Sequence, residues 1–377
     1  MKNINLDYAS HTPMDERVLA EYCRIERGFA GNVMAANTIG RESRTEMERA
    51  TNGIANLLGI SPQEIIYTSG TSEANNLAIK GIAKAYGHVG RHILSTCLEH
   101  PSVSGTLAAL VGYEIELLRV LPSGAVDLAH LKSAIRADTV LVCVSAVDSE
   151  LGVLQPLEGI AEIVKAFPNC HLHIDAAQAV GKISINVGAL MKTASTLCFS
   201  PHKFYGPNGV GVLAKREGVV LEPIIHGGSS LSIYRGGTPV LSLAVAAYAA
   251  LEIAVAEMAT RLDIVRELRD YVLHAINDEN LMRCGIRINT PIENASPYIL
   301  NLSAVGITGA EMQAELDRRG ICVSVKSACS TDRAPSRAVL AVTGNKKNAR
   351  ESFRVSFCHL TSKHEVKAFI SALGDII

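Results

Sequence analysis

The stretch Ser200-Pro-His-Lys-Phe-Tyr-Gly-Pro-Asn-Gly-Val-Gly211 decides how the rest of this sequence is interpreted. Its lysine, Lys203, follows a short apolar run at residues 194–199 and precedes a cluster of glycines and a proline. Such a lysine is predicted to lie at a strand end, where the backbone turns sharply and a ligand can approach closely. The alternative is a solvated lysine in a surface loop, and two upstream features argue against it.

Both upstream features place polar groups at the ends of predicted strands. Asp175 ends the apolar run Leu172-His173-Ile174, and its distance from Lys203 is typical of one strand–helix–strand unit. Thr68-Ser69-Gly70-Thr71-Ser72-Glu73 lies between an apolar run and a helical pattern, so Thr71 or Ser72 is predicted to cap a helix or to bind phosphate there. A lysine for an imine, an aspartate for a pyridinium nitrogen and a phosphate site together suit pyridoxal 5′-phosphate (PLP).

The composition indicates a globular chain with an ample core. Its 377 residues are enough for about two or three domains, and 48% of them are hydrophobic. A net charge of −1, with both signs spread along the chain, argues against a nucleic-acid or membrane surface. The first residues lack the apolar core of a signal peptide and no apolar run is long enough to span a bilayer, so we expect a cytoplasmic protein.

The nine cysteines are scattered, without a Cys-x-x-Cys pair or a zinc-like spacing. All except Cys329 are interpreted as buried thiols in a reducing compartment. His171-Leu-His173 places two imidazoles on one face of a predicted strand, but no third ligand is apparent. We therefore predict no metal site.

Predicted strands and helices alternate between residues 64 and 199, which indicates an α/β fold with a mainly parallel sheet. Thr139 to Ser145 is a continuous apolar run, typical of a strand buried on both faces. Ligands of such sheets collect at the carboxyl ends of the strands. The polar residues that follow predicted strands are His100, Asp148-Ser149, Asp175 and Lys203. We expect them to converge on one edge of the sheet.

The domain organisation is predicted from the remaining pattern. A Gly/Ser-rich stretch from Gly227 precedes two long helical patterns, and we place a domain change between them. Residues 15–261 are predicted to form a large domain. Residues 1–14 and 262–377 are predicted to form a smaller α+β domain.

At this point the motifs resemble those of the cysteine desulfurases, the class V branch of the fold-type I PLP enzymes. The matching segments run nearly from end to end: Asp7-Tyr8…Thr12-Pro13, Thr68-Ser69-Gly70…Glu73…Asn76 to Gly81, Glu99-His100, Glu150 to Gln155, Asp175-Ala-Ala-Gln178, Ser200…His202-Lys203…Tyr205-Gly-Pro207, His226-Gly-Gly228, Arg235…Gly237-Thr238, Ser327-Ala-Cys329-Ser330 and Arg354. One of these motifs would be weak, but their number and order make the resemblance specific. It implies a large domain with a mainly parallel seven-stranded sheet and a smaller C-terminal domain.

The resemblance also implies roles in holding the cofactor ring. Lys203 resembles the Schiff-base lysine, which later moves the substrate α-proton, and Asp175 resembles the partner of the pyridinium nitrogen. His100 resembles the imidazole that stacks on the ring. Gln178 and Ser149 resemble donors near the phenolic oxygen, and Ser149 also lies on the substrate side.

The remaining implied roles concern phosphate, substrate and sulfur. Thr71, Ser72, Ser200 and His202 look like the phosphate cradle, and Thr238 would reach the phosphate of a neighbouring subunit, so the resemblance implies a homodimer. Arg354 resembles the guanidinium that holds the carboxylate of L-cysteine, a task that suits a planar, permanently charged fork. Cys329 resembles the thiol that takes the substrate sulfur as a persulfide, leaving alanine, and passes it to an acceptor protein. Its polar surroundings predict a mobile loop, and Lys326 and Arg333 would favour the thiolate.

Several positions depart from the family pattern. The usual Asn-Asn-Glu is Asp148-Ser149-Glu150 here, and an ionised Asp148 would be unfavourable beside the cofactor. Charged groups after Gly228 are replaced by Ser229 to Ile233, and His11 replaces a threonine. Two alternatives therefore stay open: another class V enzyme, such as a selenocysteine lyase, aminotransferase or epimerase, or a catalytically silent binding partner. Cys329 favours the desulfurase over the former, and the retained Lys203, Asp175, His100, Cys329 and Arg354 argue against the latter.

Overall fold

The computed structural model describes residues 3–228, 231–326 and 334–377. Its strands are β1 (Ile4–Asn5), β2 (Ile65–Thr68), β3 (His92–Ser95), β4 (Glu114–Leu117), β5 (Thr139–Ser145), β6 (His171–Asp175), β7 (Thr196–Phe199), β8 (Gly211–Lys215), β9 (Ile286–Ile288), β10 (Ile299–Ala304), β11 (Ile321–Cys322) and β12 (Ser352–Ser356). Its helices are α1 (Glu16–Gly28), α2 (Thr38–Leu58), α3 (Thr71–Tyr86), α4 (Pro101–Ala108), α5 (Leu128–Ala134), α6 (Leu157–Lys165), α7 (Val187–Leu190), α8 (Leu241–Ala256), α9 (Met258–Asp278), α10 (Leu281–Cys284), α11 (Gly309–Arg318), α12 (Arg337–Thr343), α13 (Lys346–Glu351) and α14 (Lys363–Ile376).

The central sheet has seven strands in the order β2-β8-β7-β6-β5-β3-β4. Neighbouring strands are parallel except at β8, which pairs antiparallel with both β2 and β7. All seven residues of β5 are buried, as its continuous apolar run predicts. The mainly parallel α/β architecture is therefore confirmed.

The register of the central strands brings their carboxyl ends together. Ser145 pairs with Asp175, and Asp175 pairs with Cys198. At the neighbouring edge, a Cβ on Gly211 would lie 2.5 Å from the carbonyl carbon of Gly70, so only glycine lets β8 pass this close to the start of α3. The start of α3 therefore lies beside the ends of these strands.

The remaining strands belong to two small sheets. One is antiparallel, with the order β12-β10-β9, and the other is the parallel pair β1 and β11. One buried apolar cluster contains Leu6 and Ala9 together with side chains between Val265 and Leu373, apart from the clusters around the central sheet. The division into residues 15–261 and residues 1–14 with 262–377 stays a prediction.

Helices α8 and α9 bend by 67° where they meet. Within the described residues, no single helix has the length and apolar character needed to cross a membrane, and only this bent pair passes by length and composition together. The exposure of the described cysteines differs in part from the expectation of buried thiols. Cys284 at the end of α10 is exposed, and Cys23, Cys97 and Cys322 are half-buried, whereas Cys143, Cys170, Cys198 and Cys358 are buried.

Candidate active site

A cavity of about 320 Å³ lies at the carboxyl ends of the central strands. Its lining includes most of the predicted site residues: Thr71, Ser72, His100, Ser149, Asp175, Gln178, His202, Lys203 and Arg354. They come from separate segments between residues 71 and 354. Ser200 and Thr238 are not part of this lining, and Cys329 lies outside the described residues. The roles of these residues stay predictions.

The N-terminal segment holds Lys203 in place. The ammonium of Lys203 donates to the carbonyl oxygens of Ala9 at 2.9 Å and Ser10 at 2.8 Å. Thr12 reinforces this contact, because its N–H and its hydroxyl both donate to the carbonyl of His202, and its hydroxyl accepts from the N–H of Tyr205. Tyr205 has a φ of 69°, a strained value for a non-glycine residue. Contacts with the N-terminal segment therefore fix the backbone turn that carries Lys203.

Gln178 and Lys182 form a buried pair behind the lysine. The amide of Gln178 donates to the same Ala9 carbonyl at 2.9 Å and accepts from the Lys182 ammonium at 2.8 Å. Burial lowers the pKa of Lys182 to about 7, and the charges of Lys203 and Arg354 act in the same direction. Lys182 had no role in the sequence interpretation, and its position in an apolar segment after Gln178 was the available signal.

Asp175 lies at the end of β6 with its carboxylate almost fully buried. One carboxylate oxygen accepts from the N–H of Ala177 at 3.0 Å, and the other accepts from the side-chain amide of Asn75 at 2.9 Å. Both donors suit an ionised carboxylate, which only accepts hydrogen bonds. The sequence interpretation gave no role to Asn75.

His100 caps the start of α4 and lines the cavity. Its Nδ1 accepts from the N–H of Ser102 at 3.1 Å and lies 2.8 Å from the Ser102 hydroxyl. Burial lowers the pKa of His100, and the positive charges of Lys203 and Arg354 lower it further, against the effect of Asp175. The neutral imidazole therefore carries its proton on Nε2.

The start of α3 forms another wall of the cavity. Gly70 is the N-cap and offers no side chain, so the prediction that Thr71 or Ser72 caps this helix is wrong. The Thr71 hydroxyl oxygen is buried and has no hydrogen-bond partner within the described part of the chain. A helix N-terminus without a side-chain cap and an unsatisfied hydroxyl beside it are suited to an anion such as phosphate.

Ser200 and His202 form a linked pair beside Lys203. The Ser200 hydroxyl donates to the Val210 carbonyl at 2.7 Å, so it accepts from Nδ1 of His202 at 2.8 Å. Burial lowers the pKa of His202 to about 3, and the charges of Lys203, His11 and Lys182 lower it in turn. His202 is therefore a neutral group near pH 7 and adds no positive charge to the predicted phosphate site.

Arg354 on β12 is almost fully buried, with 1% of its surface exposed. Its Nη1 donates to the Ser149 carbonyl at 2.7 Å, and its Nη2 donates to Asp7 at 2.6 Å and to the Ser10 hydroxyl at 2.7 Å. Its Nε is buried and has no partner among the residues that the structure describes. The guanidinium is thus held at the cavity wall with one donor unsatisfied.

Asp148 is not part of the cavity lining. It is buried, accepts from the N–H groups of Glu150 and Leu151 with one oxygen, and has no partner in the described chain for the other. Burial raises the pKa of Asp148 to about 7, and the charge of Glu150 raises it further. Near neutral pH the acid is partly protonated, so the unfavourable charge that its sequence position suggested is reduced.

The histidines of β6 bond to side chains of the protein. His171 Nδ1 lies 2.8 Å from the Ser195 hydroxyl, and His173 Nδ1 lies 2.8 Å from the Thr196 hydroxyl. A group of possible metal ligands within the described residues lies elsewhere, at His92, Glu114 and Glu116. There, Arg136 forms an ion pair with Glu114 and the His92 Nε2 lies 3.2 Å from Glu116.

Thr238 lines a second cavity of about 230 Å³, together with Arg235 and Tyr67. Ser69 borders both cavities, so the second cavity lies next to the first. Thr238 is exposed in the single chain. This position is compatible with a contribution to the site of another subunit.

The donor set of the main cavity fits PLP. The α3 terminus and Thr71 suit its phosphate, the Asp175 carboxylate suits its ring nitrogen, and Lys203 suits its aldehyde carbon. The residues present therefore fit the group that the sequence predicts.

Comparison with known proteins gives the family. A family profile described as Aminotransferase class-V matches residues 4–369. The chain is 35% identical to "Cysteine desulfurase IscS" of Dictyoglomus turgidum over 379 residues, which cover 100% of this chain and 95% of that protein. It is 37% identical to the protein of the same name from Glaesserella parasuis, over 96% of this chain and 90% of that one.

Solved structures agree with the sequence relatives. A structure described as "NIFS-LIKE PROTEIN" superposes with a TM-score of 0.91 at 32% identity, over 99% of both chains. Another, described as "SspA in complex with cysteine", has a TM-score of 0.77 at 28% identity, over 94% of this chain and 99% of that chain. The fold and the sequence thus lead to the same conclusion: this chain belongs to the cysteine desulfurases of the aminotransferase class-V family.

Proposed function

We propose that this protein is a homodimeric, PLP-dependent cysteine desulfurase of the cytoplasm. It would convert L-cysteine to L-alanine and transfer the sulfur to Cys329 as a persulfide and then to an acceptor protein. The observation that carries the proposal is the meeting of Lys203, Asp175, His100 and Arg354 in one cavity with the uncapped start of α3. The relatives named cysteine desulfurase support the reaction, and the cavity supports the cofactor.

Each wall of the cavity would hold a different part of PLP. The residues for the phosphate are Thr71, Ser72, Ser200 and His202, with Thr238 from the neighbouring subunit. Asp175 would accept from the ring nitrogen, His100 would lie against the ring, and Gln178 and Ser149 would lie near its phenolic oxygen. When bound, PLP supplies an electron sink for the negative charge that develops at the substrate α-carbon.

The chain itself would bind and orient the substrate. Arg354 would hold the carboxylate of L-cysteine through charge-assisted hydrogen bonds. Its Nε has no partner among the described residues, and its Nη2 bonds to the Ser10 hydroxyl. Lys203 would move the α-proton, because it lines the same cavity as Asp175, His100 and Arg354. Neutral His100 would present an N–H from Nε2.

Sulfur transfer would require the Cys329 thiolate. It attacks the substrate sulfur, a sulfur–sulfur bond forms and the carbon–sulfur bond breaks, and the electron pair stays with the substrate carbon. That carbon takes up a proton, so one cysteine and one enzyme thiol become one alanine and one enzyme persulfide. No external oxidant or reductant is needed for this step.

Two measurements on the purified protein test the proposal. Borohydride reduction of the PLP-loaded protein should fix the cofactor on the peptide that contains Lys203. The wild-type protein should form equimolar alanine and sulfide from L-cysteine with a thiol reductant. Cys329→Ala should keep PLP and its affinity for L-cysteine but lose persulfide and sulfide, whereas Cys284→Ala, which changes an exposed thiol, should behave like wild type.

The outcomes separate the parts of the proposal. Cofactor fixed on another lysine would contradict the role of Lys203. Wild-type sulfide production by Cys329→Ala would show that the carbon–sulfur bond breaks without that thiol, as in a lyase. A protein that forms no alanine from L-cysteine would overturn the desulfurase assignment.

A further inference from the structure

Asn75 is a fully buried polar residue on α3, among apolar neighbours that face the central sheet. Its amide nitrogen donates to Asp175 at 2.9 Å and to the Ser102 hydroxyl at 2.8 Å. Its amide oxygen lies 2.8 Å from Nε2 of His173 and accepts from the thiol of Cys198. All four hydrogen-bonding positions of the amide are therefore used.

His173 connects Asn75 to the next strand. It is fully buried on β6, and its Nδ1 lies 2.8 Å from the Thr196 hydroxyl on β7. Burial lowers the pKa of His173 to about 4, against the effect of the Asp175 charge, so the ring is neutral near pH 7. A neutral ring has one N–H donor and one acceptor.

The directions of these hydrogen bonds follow from Asp175. An ionised carboxylate only accepts, so the nitrogen of the Asn75 amide faces Asp175 and its oxygen faces His173. His173 therefore donates from Nε2, and its Nδ1 accepts from Thr196. The chain of donors runs in one direction, from Thr196 through His173 and Asn75 to Asp175.

A branch of the same network reaches His100. The second N–H of Asn75 donates to the Ser102 hydroxyl, which can then donate its own proton to Nδ1 of His100. The Ser102 N–H also donates to that nitrogen. Asn75 thus supports two walls of the cavity, the carboxylate of Asp175 and the imidazole of His100.

We propose that Asn75 and His173 are positioning residues, which hold the Asp175 carboxylate in line for a ring nitrogen and keep the His100 proton on Nε2. This inference rests on the proposed PLP-dependent function. Neither residue lines the main cavity, so both act through Asp175 and His100. Buried networks in which every group is satisfied fix side-chain geometry in this way.

Asn75→Asp tests the network with almost no change in shape. It replaces the donor to Asp175 with a second carboxyl group, and two adjacent carboxylates cannot both ionise without repulsion. The other titratable groups that interact with Asp175 are His100, His173, Glu99 and Cys198. PLP affinity is measured by equilibrium binding from pH 6 to 9. Over this range we expect the affinity of Asn75→Asp to fall by about tenfold more than that of wild type.

Asn76→Asp is the matched control, because Asn76 lies next in α3 and, among the residues that the structure describes, its amide bonds to the Ser72 carbonyl alone. We expect it to keep the wild-type pH profile. If Asn75→Asp shows that same wild-type profile, the proposal is overturned. A pH dependence of PLP affinity that is less steep than in wild type, together with an unchanged kcat, would also contradict the proposal. Misplacement of Asp175 should lower kcat about tenfold or more.

A second pair of variants decides the question if Asn75→Asp does not fold. His173→Phe keeps the ring volume but removes both hydrogen bonds, whereas His173→Gln retains a donor for Asn75. We expect His173→Phe to weaken PLP binding and alter the absorbance titration of the bound cofactor, and His173→Gln to restore both in large part. Equal behaviour of the two variants would overturn the proposal, and a wild-type protein that binds no PLP would overturn the proposed function together with it.

Discussion

Arg354 on β12, which lines the main cavity, donates to Asp7 in the N-terminal segment at 2.6 Å. Asp7 also accepts from the hydroxyls of Ser10 and Ser324. The guanidinium is therefore already oriented before a substrate arrives. Because ordering a long side chain costs conformational entropy, an arginine held in advance binds a carboxylate with less loss on binding.

Arg354→Lys should raise the KM for L-cysteine by about tenfold or more, because a lysine keeps the charge but loses the planar fork of donors. PLP binding should stay near wild type. Steady-state kinetics and equilibrium PLP titration measure the two effects. Arg350→Lys, on the exposed face of α13, is the control and should leave the KM unchanged. An unchanged KM in Arg354→Lys would remove Arg354 from the proposed substrate site.

Asp175→Asn should lower kcat on the order of a hundredfold, because it removes a charge from a buried, water-poor site. The single oxygen of the amide can still accept from Ala177 or from Asn75 but not from both, and the loss of one hydrogen bond should lower the melting temperature by only a few degrees. Turnover and thermal unfolding are measured together, with the exposed Asp278→Asn as the control. Near-normal turnover would show that Asp175 serves only the fold.

Asp148→Asn should stabilise the protein more at pH 8 than at pH 5. The folded-state pKa of Asp148 is about 7, above its ordinary value near 4, so the folded state binds the extra proton between these values. The contribution of the protonated acid is complete below about pH 4 and is lost as the pH rises through about 7. Asparagine does not titrate, so Asp148→Asn loses no stability in this way as the pH rises.

Thermal unfolding at the two pH values measures this effect. We expect the melting temperature of Asp148→Asn to exceed that of wild type by a few degrees at pH 8 and by less at pH 5. Equal differences at both values would show that Asp148 does not titrate in this range. The exposed Asp278→Asn should show no pH-dependent difference.

Thr238 should act across a subunit interface. Thr238→Ala and Lys203→Ala are each expected to have little activity alone as homodimers. In hybrids of the two, one site would combine an intact Lys203 with an intact Thr238 from the other subunit. Mixing through reversible denaturation should therefore restore about a quarter of wild-type activity, since half of random dimers are hybrids with one complete site.

The same mixing experiment tests the oligomeric state. If Thr238 acts within its own chain, the hybrids gain no activity. Sedimentation at low micromolar concentration should show a dimer. A stable monomer saturated with PLP would contradict the homodimer.

The site residues that could be predicted from the sequence are those that lie at or just after the end of a strand. Asp175 and Lys203 each follow an apolar run, and parallel strands bring such ends together. The family and the mainly parallel fold, predicted from these motifs, are confirmed. The short strand β8 was not predicted, because Gly211 to Lys215 follows the glycine-rich turn closely and pairs antiparallel through contacts with β2 and β7.

The supporting residues could not be predicted, because their partners are far away in the chain. Asn75 meets Asp175 and Cys198, and Lys203 meets the carbonyls of Ala9 and Ser10, which carry no sequence signal. The prediction that Thr71 or Ser72 caps α3 is wrong for a different reason. Ser and Thr favour capping positions in general, but here Gly70 is the N-cap, so no side chain caps the helix start that lines the cavity.

The contact between Lys203 and the N-terminal segment has a consequence for how the protein becomes active. The segment that contacts Lys203 is itself held by β12, because Leu6 accepts from the N–H of Ser356 and Asp7 bonds to Arg354, which lies 347 residues further along the chain. The lysine turn therefore lacks its final clamp until β12 has been made and has paired with this segment. Cofactor capture at Lys203 would follow that step, and a central sheet that folds before it would surround an incomplete site.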